Sequence, residues 1–193
     1  MSLWHLLGGA GFNSNIRAQE ASAFGAGAAY HDTYGLDPEG FRATLDLRAE
    51  GATGTYDYGR GSAEATVTSG LFSQLDGALT ASVGSSVGTV PVQRFWFLGG
   101  VATVRGQEPG TRAGDSYWMG RAEIGRTFAQ VRPTIFYDLG WAGSRGAFAR
   151  GGRPISGAGI GASVLDGLIR FDVAHGIEPN HAWRADLYTQ ARF

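Results

Sequence analysis

One short segment of the sequence concentrates features that favour a buried ion pair. The segment RFWFLGGVATVRGQEPG (94–110) begins with aromatic residues, continues with a Gly-Gly pair and then holds Arg105 between a valine and Gly106. A loop this apolar can fold against protein, and its arginine then needs a carboxylate, because a buried unpaired guanidinium costs several kcal/mol. Gly106 permits the tight turn that brings Arg105 close to a protein wall. We therefore expect Arg105 to pair with acidic side chains.

Two acidic residues downstream have the spacing that such a pair requires. In YWMGRAEIGR, Glu123 alternates onto the same face as Arg121, and in VRPTIFYDLGWAG, Asp138 shares a face with Thr134. If these segments are adjacent antiparallel strands, both acids lie on the polar side, where neighbours across the strands can share one bidentate donor. The sequence predicts a cluster of Arg105, Glu123 and Asp138. The alternative is a solvated loop with both acids facing water, since surface ion pairs are common and weak.

Other residue types that carry chemistry are sparse. The histidines His5, His31, His175 and His181 are widely spaced, and the chain has no cysteine, so we expect no metal site and no cofactor. A hydrolase at a barrel rim, using His175 or His181 with a loop serine, is an alternative. The one Gly-x-Ser-x-Gly match, GSSVG at residues 84–88, falls within an alternating segment that predicts a strand and not at a turn between a strand and a helix, so the sequence favours a protein that is not an enzyme.

Composition limits the class of protein further. The 193 residues suffice for one domain, and 16 Lys+Arg against 17 Asp+Glu give a net charge of −1, which argues against a nucleic-acid partner held by phosphate charge. All 16 cationic residues are arginine, and glycine is abundant at 32 residues. No run of about 18 apolar residues occurs, which excludes a transmembrane helix.

Alternation of apolar and polar residues recurs along the chain and predicts β-strands. It is regular in FRATLDLRAE and WRADLYTQARF, where helical spacing fits less well. Turn sequences such as LDPEG and SQLDG separate these segments. We predict about ten strands, near residues 4–12, 22–31, 41–50, 61–72, 77–89, 117–127, 131–142, 155–165, 168–176 and 183–193.

Three features favour a membrane barrel over a soluble sandwich. The strands exceed the usual ~5–6 residues, and the connections alternate between short and long. One face is small, charged and rich in glycine. The other face is aliphatic with aromatic residues near strand ends, as a lipid-facing band requires. We therefore predict an all-β fold, an antiparallel transmembrane β-barrel forming a single domain over residues 1–193. The aromatic residues of this band are Trp118, Tyr137, Trp141, Trp183 and Phe193.

The segment FLGGVATVRGQ resembles a loop signature of the bacterial surface antigen family, which comprises outer-membrane assembly factors and two-partner-secretion translocases. The matching residues are the pair Gly99 and Gly100 and the run Val104, Arg105 and Gly106. The segments RAEIG, FYDLGWA, GAGIGASVLDGLIRFDVAHGI and LYTQARF follow in the order that the family shows. The resemblance covers about residues 76–193.

The resemblance implies a bacterial outer-membrane protein that inserts or translocates polypeptides without enzymatic chemistry. Residues 94–116 would form a loop that enters the lumen, held by Arg105 against Glu123 and Asp138. Phe193 would be the terminal aromatic of the sorting signal. The implied partners are polypeptide clients and outer-membrane lipid. Separately, Arg145, Arg150 and Arg153 in GSRGAFARGGRP are candidates for contact with lipopolysaccharide phosphates, the favoured alternative being a solvated extracellular loop that collects charge.

Two departures from the family pattern keep alternatives open. Gln107 stands where the family usually has Phe or Tyr, so the loop tip is expected to pack differently. The family barrel has about sixteen strands, whereas about eight to ten fit here. The chain is therefore either the C-terminal part of a larger barrel or a small barrel that closes on itself, on another copy or on a partner barrel. The alternative function is a small structural or accessory barrel that does not translocate.

Overall fold

The computed structural model describes residues 23–35, 40–72, 74–150, 152–165 and 167–189, and every structural statement below concerns these residues. They form eleven strands and two short 3-10 helices, Val92–Arg94 and Arg145–Arg150. The strands are β1 (Ala23–Tyr34), β2 (Arg42–Gly54), β3 (Tyr58–Phe72), β4 (Leu75–Gly88), β5 (Trp96–Leu98), β6 (Arg112–Gly114), β7 (Ser116–Arg126), β8 (Val131–Gly143), β9 (Ile155–Val164), β10 (Ile169–Glu178) and β11 (Trp183–Thr189). The predicted all-β antiparallel fold is confirmed.

Nine of these strands form one antiparallel sheet in the order β1-β2-β3-β4-β7-β8-β9-β10-β11. Each strand pairs with its neighbour in the chain, and the connection between β4 and β7 contains a separate hairpin of β5 and β6. The nine sheet strands match nine of the ten predicted segments, and the tenth, 4–12, lies outside the described residues. Alternation did not predict β5 and β6, because three residues are too few to show a period.

The two longest connections lie at one end of the sheet, but the expected alternation of short and long connections holds only in part, because the short connections 55–57 and 179–182 lie at that same end. Residues 89–115 and 144–154 form the two longest connections, and we call their end the loop end. Residues 127–130 and 165–168 join strands at the opposite end, which we call the turn end. Among the described residues, no helix is long and apolar enough to span a membrane.

The two faces of the sheet have the reverse of the polarity found in most sheets of soluble proteins. Along β8 and β10, charged and polar side chains are buried while the alternate aliphatic side chains are exposed. Ile135 is 59% and Leu187 74% exposed, whereas Asp138 is 0% and Arg170 4% exposed. We call the side that carries the buried charges the inner face and the opposite side the outer face. Strand alternation produces this separation, since successive side chains point to opposite faces.

One predicted member of the outward aromatic band is placed differently. Trp141 is only 5% exposed, because the segment 145–150 folds over it and the ring of Phe148 packs edge-on, with 5.9 Å between ring centroids. Trp183 is 72% exposed, as the alternation predicts. Phe193, the predicted sorting residue, lies outside the described residues.

A small apolar core lies on the inner face toward the loop end. It joins the β5–β6 connection to the sheet, and Trp96 packs against it from β5. The buried members are Leu98, Val104, Tyr117, Met119, Ala142 and Ile155. Because two of them belong to the hairpin and its connection, this core fixes the connection against β7, β8 and β9.

Candidate functional site

The connection between β5 and β6, residues 99–111, lies on the inner face, and we call it the inner loop. Gly99 and Gly100 start it with φ angles of 115° and 83°, a region that favours glycine. A Cβ on Gly99 would lie 1.9 Å from the carbonyl oxygen of Glu108, so the two sides of the loop can close only over a glycine. The Gly100 amide then donates to the Gln107 carbonyl at 2.9 Å. The predicted Gly-Gly pair therefore shapes the base of the loop.

Gly106 sets how closely the inner loop approaches the sheet. Its φ angle is 86°, and a Cβ there would lie 2.8 Å from the backbone nitrogen of Gly176 in β10. Any larger residue would push the loop away from β10. The close approach places the neighbouring Arg105, which is 2% exposed, deep against the inner face.

Asp138 on β8 is the principal partner of Arg105. The guanidinium donates from Nε to Oδ2 at 2.7 Å and from Nη2 to Oδ1 at 2.8 Å, and the Arg105 backbone amide donates to Oδ2 at 3.1 Å. This is the bidentate geometry in which an arginine–carboxylate pair is strongest. The carboxylate is fully buried, so the pair is shielded from water and salt.

The remaining donor of Arg105 reaches two further acids. Nη1 lies 3.1 Å from Glu123 Oε2 on β7 and 3.4 Å from Asp172 Oδ2 on β10. The guanidinium carbon also lies 3.5 Å from the centroid of the Phe136 ring, at cation–π distance. Burial opposes the charge of Arg105, but the hydrogen bond and the charge of Asp138, together with Glu123 and Asp172, raise its pKa above the ordinary arginine value. The structure thus brings Arg105, Glu123 and Asp138 together.

A second buried arginine balances the charge of these acids. Arg170 on β10 donates to Glu123 Oε2 at 2.7 Å and to Asp172 Oδ1 at 2.8 Å. Glu123 also accepts from Arg132 Nη1 at 2.8 Å, and Asp172 accepts from the Tyr188 hydroxyl on β11 at 2.6 Å. Buried charges are tolerated when they are paired and fully hydrogen-bonded, and this set meets that condition. We call Arg105, Arg170, Glu123, Asp138 and Asp172 the ion cluster.

Sequence reasoning missed Arg170 and Asp172. Both lie in LIRFDVA, two residues apart on the polar face of a predicted strand, so alternation alone could have identified them. What alternation could not show is that β10 lies beside β9, within reach of the inner loop.

Gln107 fixes the tip of the inner loop by a polar contact. Its side chain is 0% exposed, and Nε2 donates to the carbonyl oxygens of Ser156 at 2.8 Å and Asn180 at 3.3 Å. These acceptors lie on β9 and in the β10–β11 connection. A phenylalanine could make neither hydrogen bond, and a tyrosine could donate only one, through a hydroxyl that lies beyond its ring. The departure at position 107 therefore coincides with a hydrogen-bonded attachment near the last described strands.

Two cavities lie between the inner loop and the strands on the far side of the sheet. One, of about 390 Å³, is lined by His31 of β1, Thr44 of β2 and Tyr188 of β11, among others. The other, of about 500 Å³, is lined by charged side chains of β2 and β3 and by Trp96. Because residues of both outermost strands border the first cavity, the sheet curls strongly around its inner face.

Of the histidines considered for enzymatic and metal chemistry, His175 and His181 lie near each other, and His5 lies outside the described residues. The ring centroids of His175 and His181 are 6.3 Å apart, and His175 lies 4.8 Å from the ring of Trp183. Among the described residues, no group of three or more His, Asp or Glu side chains is arranged to hold a metal ion. Arg145, Arg150 and Arg153 are exposed in the β8–β9 connection at the loop end.

No model of a known protein family matches the chain, and no curated protein matches it either. Function therefore has to be inferred from the geometry of the sheet and of the inner loop.

Proposed function

We propose that the protein is a bacterial outer-membrane β-barrel of the assembly and translocation type. The observation that carries this proposal is the reversed polarity of the sheet. Large aliphatic side chains such as Leu79 and Ile160, each 62% exposed, cover the outer face, while the ion cluster lies on the inner face. A contiguous apolar surface of this extent is costly in water and matches the hydrocarbon core of a bilayer.

The ends of the sheet support closure into a barrel. Among the described residues, β1 pairs with β2 alone and β11 with β10 alone, so each presents a row of unpaired backbone groups. A bilayer does not tolerate such an edge, which must pair with the other edge, another copy or another chain. The cavity bordered by both His31 and Tyr188 favours a sheet that curls far enough for its edges to meet.

The same edges suggest how the protein acts on clients. A strand edge is a template for another chain, and strand addition is a common mode of peptide recognition. In the proposed mechanism a client strand pairs with β1 or β11 and passes into the bilayer from there. The inner loop keeps its place against β7, β8 and β10 through the ion cluster and maintains the shape of the wall. The resemblance of residues 94–110 to the assembly and translocation family agrees with this role.

A first experiment tests the membrane fold. The chain is purified in detergent, and its electrophoretic mobility is compared with and without boiling. A transmembrane barrel should migrate differently in its folded form, because the closed sheet resists detergent unfolding. A chain that stays soluble and monomeric without detergent would contradict the proposal.

A second experiment tests activity on clients. Liposomes that contain the protein should accelerate the folding of an added unfolded outer-membrane barrel, compared with empty liposomes. The comparison variant is Leu187→Pro, which removes one backbone donor from β11 and should slow client folding if this strand is the template. Equal rates with empty liposomes would favour the second candidate below.

The second candidate is a small accessory barrel that does not translocate. It is favoured by the density of contacts that hold the inner loop, which reaches β7, β8, β9 and β10 at once. A loop held this firmly obstructs the space on the inner face. In that case the heat-dependent mobility is retained while client folding is not accelerated.

A further inference from the structure

An apolar groove of about 450 Å³ lies on the outer face across β3, β4, β7 and β8. Its walls include Leu71, Leu79, Ile124 and Tyr137. This volume lies within the ~300–1,000 Å³ of typical ligand pockets, although the surrounding surface faces outward. We call this feature the outer groove.

Small residues create the outer groove. Gly77 of β4 lies opposite Ile124, and Ala122 of β7 lies between Leu79 and Tyr137 in the register of the three strands. The larger neighbours therefore stand above a floor that carries no bulky side chain. An apolar depression of this kind is poorly filled by water, which finds no hydrogen-bond partner there.

An outward-facing arginine stands at the turn end of the outer groove. Arg126 follows Ile124 by two residues on the same face of β7, a distance of roughly 7 Å along the strand. Its Nη2 donates to Gln74 Oε1 at 3.2 Å, and its guanidinium lies 4.5 Å from the Phe128 ring. Both partners are neutral, and no ion pair with a carboxylate is found for Arg126 among the described residues. Its charge is therefore available to an external anion.

From the groove and the arginine together, we infer that the protein binds one phospholipid at this place. An acyl chain lies in the outer groove, and the phosphate of the headgroup accepts hydrogen bonds from Arg126. This inference rests on the proposed membrane fold, in which short turns face the periplasm and long side chains such as arginine extend to the headgroup level. Charge selects an anionic headgroup, because one basic residue near a bilayer surface favours anionic lipid.

The test is native mass spectrometry of the detergent-solubilised protein titrated with dimyristoylphosphatidylglycerol or with dimyristoylphosphatidylcholine. The wild-type protein should bind one phosphatidylglycerol more tightly than any further one, and roughly fivefold more tightly than phosphatidylcholine. Arg126→Gln should remove the preference between the two lipids. Ala122→Leu fills the groove and should weaken the first binding step for both.

Matched controls separate this site from general lipid binding. Ala162→Leu enlarges another outward alanine, on β9, and Arg150→Gln removes an exposed arginine at the loop end. Neither should alter the first binding step. Soluble glycerol phosphate should not compete, since it has no acyl chain.

Several results would overturn the inference. The inference fails if lipids bind without a distinct first step, or if the control variants weaken that first binding step as much as Arg126→Gln and Ala122→Leu do. It also fails if the protein forms a dimer that covers the outer groove. If the protein shows heat-dependent mobility but no distinct lipid, the lipid site is wrong and the barrel proposal stands. If the chain is soluble without detergent, the barrel proposal itself fails.

Discussion

Replacement of Arg105 by alanine is the most direct test of how the inner loop is held. The change removes four side-chain hydrogen bonds, two to Asp138 and one each to Glu123 and Asp172. It leaves buried acids with one cation fewer, and breaking a buried pair in this way costs about 3–5 kcal/mol. The ladder of the sheet does not use this side chain. We therefore expect the loop to open while the strands remain paired.

Hydrogen exchange measures this opening quantitatively. The loop amides of Gly100 and Gln107 are bonded within the loop, to the carbonyls of Gln107 and Val104. If these amides exchange by loop opening, a loss of about 3–5 kcal/mol raises the opening constant by roughly two to three and a half orders of magnitude. Exchange in peptides that cover residues 99–111 should accelerate accordingly, while peptides from β8 and β9 keep their protection.

Two further variants control for the loss of charge and of bulk. Arg105→Lys keeps the charge but not the bidentate fork, so its exchange should lie between wild type and Arg105→Ala. Arg121→Ala removes an arginine whose side chain is 22% exposed and whose contacts with Asp138 and Val101 are both 3.4 Å, and should accelerate exchange by less than about tenfold. Unchanged exchange of the loop in Arg105→Ala, with strand content intact by circular dichroism, would refute the role assigned to this arginine.

Three other substitutions test separate parts of the structure. Gly106→Ala should destabilise the seated loop by about 1–3 kcal/mol, seen as faster loop exchange, because of its positive φ and its contact with β10. Tyr188→Phe removes the hydrogen bond to Asp172 and should lower the free energy of unfolding by about 1–2 kcal/mol in a denaturant titration. An unchanged free energy of unfolding would show that this hydrogen bond does not stabilise the fold. Ile160→Arg on the outer face should reduce the free energy of folding into liposomes by about 2–4 kcal/mol, whereas Thr44→Arg on the inner face should not. Equal effects of these two arginines would contradict the assignment of the faces.

Much of the architecture could be predicted from alternation. The period of two places nine strands within a few residues of their observed ends and assigns Glu123 and Asp138 to one face. It fails where tertiary contacts override the strand pattern. The alternation along β8 places Trp141 on the outer face, but the segment 145–150 covers it. The strands β5 and β6 are too short to show a period.

The sequence by itself determined the all-β class, the two-faced strands and the candidate partners of Arg105. These follow from local rules, since side-chain direction in a strand depends only on position. Only the tertiary structure decided that Arg170 and Asp172 complete the ion cluster and that Tyr188 donates to Asp172. The same holds for the contacts of Gln107 with Ser156 and Asn180. Those contacts join residues up to 73 positions apart, as between Gln107 and Asn180. They depend on the curl of the sheet and the path of the inner loop, which no local pattern of residues encodes.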